Sequence, residues 1–116
     1  MQAHVRNNVV AEVLCHVGDL VAGSGVAVLS DRLQIALFYL PDQSPALYAI
    51  GNFDPLGSAN VLSRGIVGDK GGELVVASPL YKQHFSLKTG RCLEQDDVTV
   101  PVFNVRIEDQ RVVLFR

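Results

Sequence analysis

The sequence contains no tryptophan, and aromatic side chains make up only 7% of its 116 residues. A platform on which nucleic-acid bases stack needs several aromatic residues, so this composition argues against binding of single strands. Lysine and arginine are scattered singly, no basic cluster occurs, and the formal net charge is −2. The charge pattern therefore gives no reason to expect DNA, RNA or an anionic membrane surface as a partner.

Cysteine is scarce, and the first residues lack a continuous apolar run. Cys15 and Cys92 lie far apart in the chain; one disulfide is conceivable, but two buried thiols in a reducing compartment are the favoured interpretation. Segment 1–10 has polar residues throughout, which argues against a signal peptide or membrane span there. We expect a cytoplasmic protein with an N-terminal extension, 1–10, and one domain, 11–116.

Short apolar runs closed by turn residues recur along the chain, and no stretch keeps a helical period over three turns. This pattern predicts an all-β fold, either a sandwich or a small barrel. Segment 33–40 has apolar residues on both faces, which predicts a central strand. The predicted strands are 11–17, 25–29, 33–40, 47–51, 66–67, 74–77, 102–108 and 111–115, with one short helical turn at 61–64.

The clearest alternation lies in segment 102–108. It predicts that Phe103, Val105 and Ile107 are buried on one face of the strand, while Asn104, Arg106 and Glu108 face solvent or a partner. If Ile107 is fully packed, its truncation to alanine costs about 2–5 kcal/mol.

Two irregular segments, 52–65 and 78–90, separate the predicted strands. The second reads Ser-Pro-Leu-Tyr-Lys-Gln-His-Phe-Ser-Leu-Lys-Thr-Gly. It resembles the second ligand segment of a Rieske iron–sulfur domain, Cys-Pro-x-His-Gly followed by Phe-Asp/Ser-Leu-x-Thr-Gly. Ser78 stands at the cysteine position and Tyr81 at the histidine position. The first segment takes the place of the Cys-x-His ligand segment, with Asp54 and Leu56 near the ligand positions.

Three longer stretches, 49–55, 61–69 and 76–85, resemble the small subunit of the cytoplasmic NAD(P)H-dependent nitrite reductase, a Rieske-like domain that has lost its cluster. The resemblance implies a Rieske-like sandwich with a loop-rich subdomain at about 52–90. It also implies an accessory subunit in the assimilatory reduction of nitrite to ammonium. The implied partner is a large subunit that holds FAD, an iron–sulfur cluster and sirohaem, whereas this chain carries no cofactor.

The chemistry of the residues agrees with a lost cluster. A Rieske centre needs two thiolates and two imidazoles, and the sequence has no Cys-x-His or Cys-x-x-His. A zinc site would require Cys15 and His16 to converge with His84 and Cys92, which are distant in the sequence. A hydrolytic triad of Ser78, His84 and Asp54 lacks the Gly-x-Ser-x-Gly turn, and turn and core roles are favoured. No catalytic, cofactor-binding or metal-binding residue is therefore predicted.

The vacated cluster positions and their neighbours are instead the candidate partner surface: Asp54, Leu56, Ser78, Tyr81, Lys82 and His84. A tyrosine beside charged groups on a proline-containing loop is typical of an interface. Alternatively, Leu56 and Tyr81 pack together in place of the cluster. Lys82 and His84, with Arg64, could also bind a small anion such as nitrite, although a solvated loop is favoured. A free-standing module that binds an anion or an unrelated protein is the alternative function, and a redox ferredoxin is opposed by the missing ligands.

Overall fold

The computed structural model describes residues 10–116. Within them the chain forms two short 3-10 helices, Val17–Asp19 and Leu62–Arg64, and eleven strands. The strands are β1 Ala11–His16, β2 Ser24–Ser30, β3 Leu33–Tyr39, β4 Leu47–Gly51, β5 Phe53–Asp54, β6 Ala59–Asn60, β7 Ile66–Lys70, β8 Glu73–Ala77, β9 His84–Ser86, β10 Asn104–Glu108 and β11 Arg111–Phe115. The predicted extension lies outside the described residues except Val10, whose backbone pairs with that of Arg116.

The strands form three antiparallel sheets and one short ribbon. The sheet orders are β1-β11-β10, β2-β3-β4 and β7-β8-β9, and β5 pairs with β6 as the ribbon. Three of the hairpins turn through residue pairs with positive φ: Asp31-Arg32, Gly71-Gly72 and Asp109-Gln110. Two such residues in succession give a tight turn whose twist matches that of the flanking strands. These turns fall in the gaps between the strands predicted at 25–29 and 33–40, at 66–67 and 74–77, and at 102–108 and 111–115.

Strand β3 lies between two hydrophobic cores. Ile35 and Leu37 pack against the sheet that contains β11, whereas Ala36 and Phe38 pack against the sheet β7-β8-β9. All four side chains are completely buried. The predicted central strand is confirmed, because only a strand covered on both faces tolerates apolar residues at successive positions.

The prediction that Ile107 is buried is wrong, since 40% of its surface is exposed. Ile107 pairs with the fully buried Val112 and shares its face, but β10 is an edge strand and Ile107 adjoins the 109–110 turn. It therefore lacks a neighbouring strand on one side. Phe103 and Val105 are half-buried against the core, whereas the polar residues at 104, 106 and 108 are exposed as predicted.

The segment predicted to be irregular after residue 78 contains a strand. β9 pairs with β8, so that Phe85 faces Val76 across the ladder and both side chains are fully buried. The helical turn predicted at 61–64 is confirmed by the second 3-10 helix. Cys15 and Cys92 are free thiols, and they pack in different cores. No helix among residues 10–116 is long and apolar enough to cross a bilayer.

Candidate functional site

The two loops that resemble ligand segments meet at a buried pair of polar side chains. Asp54 ends β5 and Ser78 directly follows β8, so two short elements bring these residues together. The Ser78 hydroxyl donates a hydrogen bond to the Asp54 carboxylate, with 2.5 Å between Oγ and Oδ2. Asp54 is 0% exposed and Ser78 is 1% exposed. Both side chains are therefore buried where the two loops meet, and neither lies on the predicted partner surface.

Backbone amides from both loops complete this arrangement. The other carboxylate oxygen of Asp54, Oδ1, accepts hydrogen bonds from the amides of Leu56, at 2.9 Å, and Gly57, at 3.2 Å. The Ser78 Oγ accepts one from the Leu80 amide at 3.2 Å. Short turns of this kind, closed by an aspartate or serine side chain, hold a loop in a defined conformation.

The second loop also closes on itself. The Ser78 amide donates to the Gln83 carbonyl at 2.9 Å, and the Lys82 amide donates to the Ser78 carbonyl at 3.0 Å. Lys82 adopts a φ of +63°, the left-handed conformation that reverses the chain before β9. These bonds direct Leu80, Tyr81 and Lys82 outward at the end of the subdomain.

The residues at the two positions predicted to correspond to Rieske histidines, Leu56 and Tyr81, differ in burial. Leu56 is half-buried and packs against the core that contains Phe85, whereas Tyr81 is 65% exposed. Leu80 rather than Tyr81 covers the first loop: a Cβ on Gly57 would collide with the Leu80 side chain, so Leu80 lies directly on this glycine. Tyr81 therefore does not fill the interior. Five exposed residues of the two loops are called here the tip surface: Pro55, Pro79, Leu80, Tyr81 and Lys82.

His84 belongs to a separate group of charges. Its Nδ1 lies 2.7 Å from Glu94 Oε2, and Lys70 Nζ lies 2.9 Å from the same oxygen. Burial by itself raises the pKa of Glu94, but hydrogen bonds from the His84 amide, Lys70 and the His84 ring lower it to about 2. A carboxylate beside His84 opposes the binding of nitrite there, because like charges repel. The same pairing removes His84 from any triad with Ser78, whose partner is Asp54 itself.

Proteins of similar sequence identify the family of this chain. The sequence profile of the Rieske-like [2Fe-2S] domain family matches residues 12–114. The chain belongs to this family. Among curated relatives, the "Nitrite reductase (NADH) small subunit" of Salmonella typhimurium is 43% identical over 101 residues, which is 87% of this chain and 93% of that protein.

Two further comparisons extend the likeness. A crystal structure of a Mycobacterium tuberculosis protein assigned as an NADH-dependent nitrite reductase small subunit superimposes with a TM-score of 0.84 and 44% identity. It covers 93% of this chain and 96% of that one. The "Nitrite reductase [NAD(P)H] large subunit" of Klebsiella oxytoca is 39% identical over 101 residues, 87% of this chain but 10% of the larger protein.

The residues of this Rieske-like domain do not fit a [2Fe-2S] cluster. Where such a domain supplies thiolates and imidazoles, this chain has a carboxylate, a leucine, a hydroxyl and a phenol, and Asp54 and Ser78 are bonded to each other. Cys92 is buried in a core, and its sulfur approaches Glu94 at 3.7 Å rather than the tip. Within residues 10–116 no group of three or more His, Cys, Asp or Glu side chains is arranged so that it could hold a metal ion.

The bond between Asp54 and Ser78 was not predicted from the sequence. A signal was present, because each ligand segment of a Rieske domain begins with a cysteine and these two residues begin the corresponding segments here. Both cysteines of a Rieske domain bind the same iron, so residues at those two positions lie close together. An acceptor and a donor at those positions then favour a hydrogen bond.

Proposed function

We propose that this protein is the small accessory subunit of a cytoplasmic NAD(P)H-dependent nitrite reductase that converts nitrite to ammonium. The similarity to nitrite reductase small subunits, which covers nearly the whole of both chains, carries this proposal. The absence of cluster ligands in this Rieske-like domain makes its role non-catalytic. The FAD, the iron–sulfur cluster and the sirohaem then belong to the large subunit, and this chain supports that subunit without transferring electrons.

The likeness to part of the Klebsiella oxytoca large subunit supports an arrangement in which such a domain lies next to the catalytic subunit. The tip surface is the face that we assign to this contact. It presents Leu80 and Tyr81, 43% and 65% exposed, directly after Pro79. Aromatic and aliphatic anchors of this kind are typical of interface centres.

The charge of the tip surface defines the partner surface further. Among residues 52–60 and 78–83 the charged side chains are Asp54, which is buried, and Lys82, which is exposed. The tip thus presents a positive charge on a chain whose net charge is −2. The matching surface of the large subunit should combine an apolar centre with an acidic residue, since complementary charges favour correct docking.

The first test is co-expression with the large subunit encoded by the same genome. We expect the tagged small chain to retain the large subunit through purification. We also expect the isolated chain to show no nitrite-dependent oxidation of NADH or NADPH. A chain that never binds the large subunit would favour the alternative of a free-standing module for a small anion or an unrelated protein.

The second test replaces Tyr81 and Lys82 by Ala and Glu in one variant. We expect roughly a hundredfold loss of affinity for the large subunit, because an interface anchor and a favourable charge are both removed. The matched control is Leu29→Ala with Arg32→Glu, an exposed leucine and an exposed cation with positive φ in the β2–β3 hairpin. If the tip variant keeps its melting temperature and wild-type affinity, the interface lies elsewhere.

A further inference from the structure

We propose that Asp54 and Ser78 are positioning residues, whose buried hydrogen bond does the work of the missing cluster by holding the tip surface in the conformation that binds the partner. A Rieske cluster joins its two ligand loops through bonds to metal. Here one hydroxyl–carboxylate bond joins them. The identity of the partner rests on the proposed function, whereas the role of the bond in ordering the loops does not.

The pair provides the hydrogen bond that connects the two loops. Between segments 52–61 and 78–83, both within the described residues, the bond from Ser78 Oγ to Asp54 Oδ2 is the only hydrogen bond that joins one loop to the other. The bonds of the second loop between residues 78, 82 and 83 lie within that loop. The ribbon β5-β6 pairs only Phe53 with Asn60 and Asp54 with Ala59.

The pair also controls the backbone of the residues that form the surface. Asp54 accepts hydrogen bonds from the amides of Leu56 and Gly57, and Ser78 accepts one from the amide of Leu80. The Leu80 side chain in turn lies on Gly57. Loss of the central bond therefore uncouples both turns at once and leaves a buried carboxylate without one of its donors, which is costly in a dry environment.

The test compares Ser78→Ala with Ser30→Ala. Ser30 is a suitable control because it is 1% exposed and its hydroxyl also donates to a carboxylate, Glu12 Oε1, at 2.7 Å, but it ends β2 and belongs to neither loop. Amide hydrogen exchange is measured in the isolated chain, and affinity is measured with the purified large subunit. Melting temperatures are measured for both variants.

We expect Ser78→Ala to accelerate exchange at the Leu56, Gly57 and Leu80 amides by roughly tenfold or more, and to weaken binding by a similar factor. Ser30→Ala should lower the melting temperature without either effect. Unchanged tip exchange and wild-type affinity in Ser78→Ala would overturn the proposal. So would equal losses of affinity in the two variants, since the effect would then reflect global stability alone.

A second pair of variants keeps the proposal testable if Ser78→Ala does not fold. In Asp54→Asn the amide oxygen still accepts from the two backbone amides and its NH2 donates to Ser78 Oγ, whereas Asp54→Ala loses all of these bonds. We expect Asn to preserve affinity within about threefold and Ala to lose at least tenfold more. Equal affinities of the Asn and Ala variants would overturn the proposal. A wild-type chain that fails to bind the large subunit would instead contradict the proposed function, and the exchange data would still test the bond.

Discussion

At the scale of single residues, the four positions predicted to correspond to cluster ligands carry side chains that differ in burial. Asp54 and Ser78 are buried and bonded to each other, whereas Leu56 packs on the core and Tyr81 projects outward. The predicted ligand positions thus hold a buried polar pair, a half-buried leucine and an exposed tyrosine. Residue type did not reveal which of these side chains is buried, because burial depends on the loop that faces each of them.

Ile107 and Leu114 provide a residue-scale prediction about the core. Leu114 is 1% exposed on the middle strand of its sheet, whereas Ile107 is 40% exposed on an edge strand. Truncation of Leu114 to alanine should lower the free energy of unfolding by about 2–5 kcal/mol, because it leaves a cavity. Ile107→Ala should cost only about 1 kcal/mol, since less apolar surface leaves water on folding.

Urea unfolding at constant m-value measures both effects. Equal losses in the two variants would show that Ile107 is buried after all. The comparison thus tests the position of β10 within its sheet.

At the scale of elements, Glu94 ties β7 and β9 to the segment that follows them. It bonds to Lys70 of β7 and to both the amide and the ring of His84 in β9. In the folded protein its pKa falls from 4.5 to about 2. A carboxyl group whose pKa is lower in the folded state stabilises the fold above its unfolded pKa and loses that contribution as the pH falls toward the folded value.

We therefore expect the stability difference between the wild type and Glu94→Gln to be largest near neutral pH and to shrink as the pH falls from 4.5 to about 2. High salt should also reduce it, because the side chain is partly exposed to solvent. Urea unfolding across this pH range measures the difference. Asp96→Asn is the control, since that carboxylate is 98% exposed and lies 4.0 Å from Arg91; a similar pH response in both variants would contradict the assignment.

The elements themselves were partly predictable. The strands around residues 33–40 and 111–115, the helical turn at 61–64 and the glycine turn at 71–72 follow local patterns of apolar and turn residues. β9 was not predicted, because His84–Ser86 is three residues long and lies within a segment dominated by its resemblance to a ligand loop. Its strand conformation depends on antiparallel pairing with β8.

At the scale of the whole molecule, the two loops of the tip are joined by the buried hydrogen bond between Ser78 and Asp54. We expect purified chain, after anaerobic reconstitution with iron and sulfide, to hold less than about 0.1 iron per chain and to show no cluster absorbance, because its loops offer no thiolate or imidazole pair. An iron assay with visible spectroscopy measures this. Stoichiometric iron and sulfide with cluster absorbance would show that Cys15 or Cys92 reaches a site that the folded cores exclude.

The sequence by itself determined the β class, the central position of β3, the family resemblance and the lack of a Cys-x-His or Cys-x-x-His motif. Each of these depends on local pattern or on residue chemistry, which one chain contains in full. Only the tertiary structure decided that Asp54 and Ser78 bond to each other, that His84 pairs with Glu94 instead of facing the tip, and that Ile107 is half open to solvent. These outcomes depend on contacts between residues distant in sequence. Such contacts form, and stabilise the protein, only when the sheets pack together.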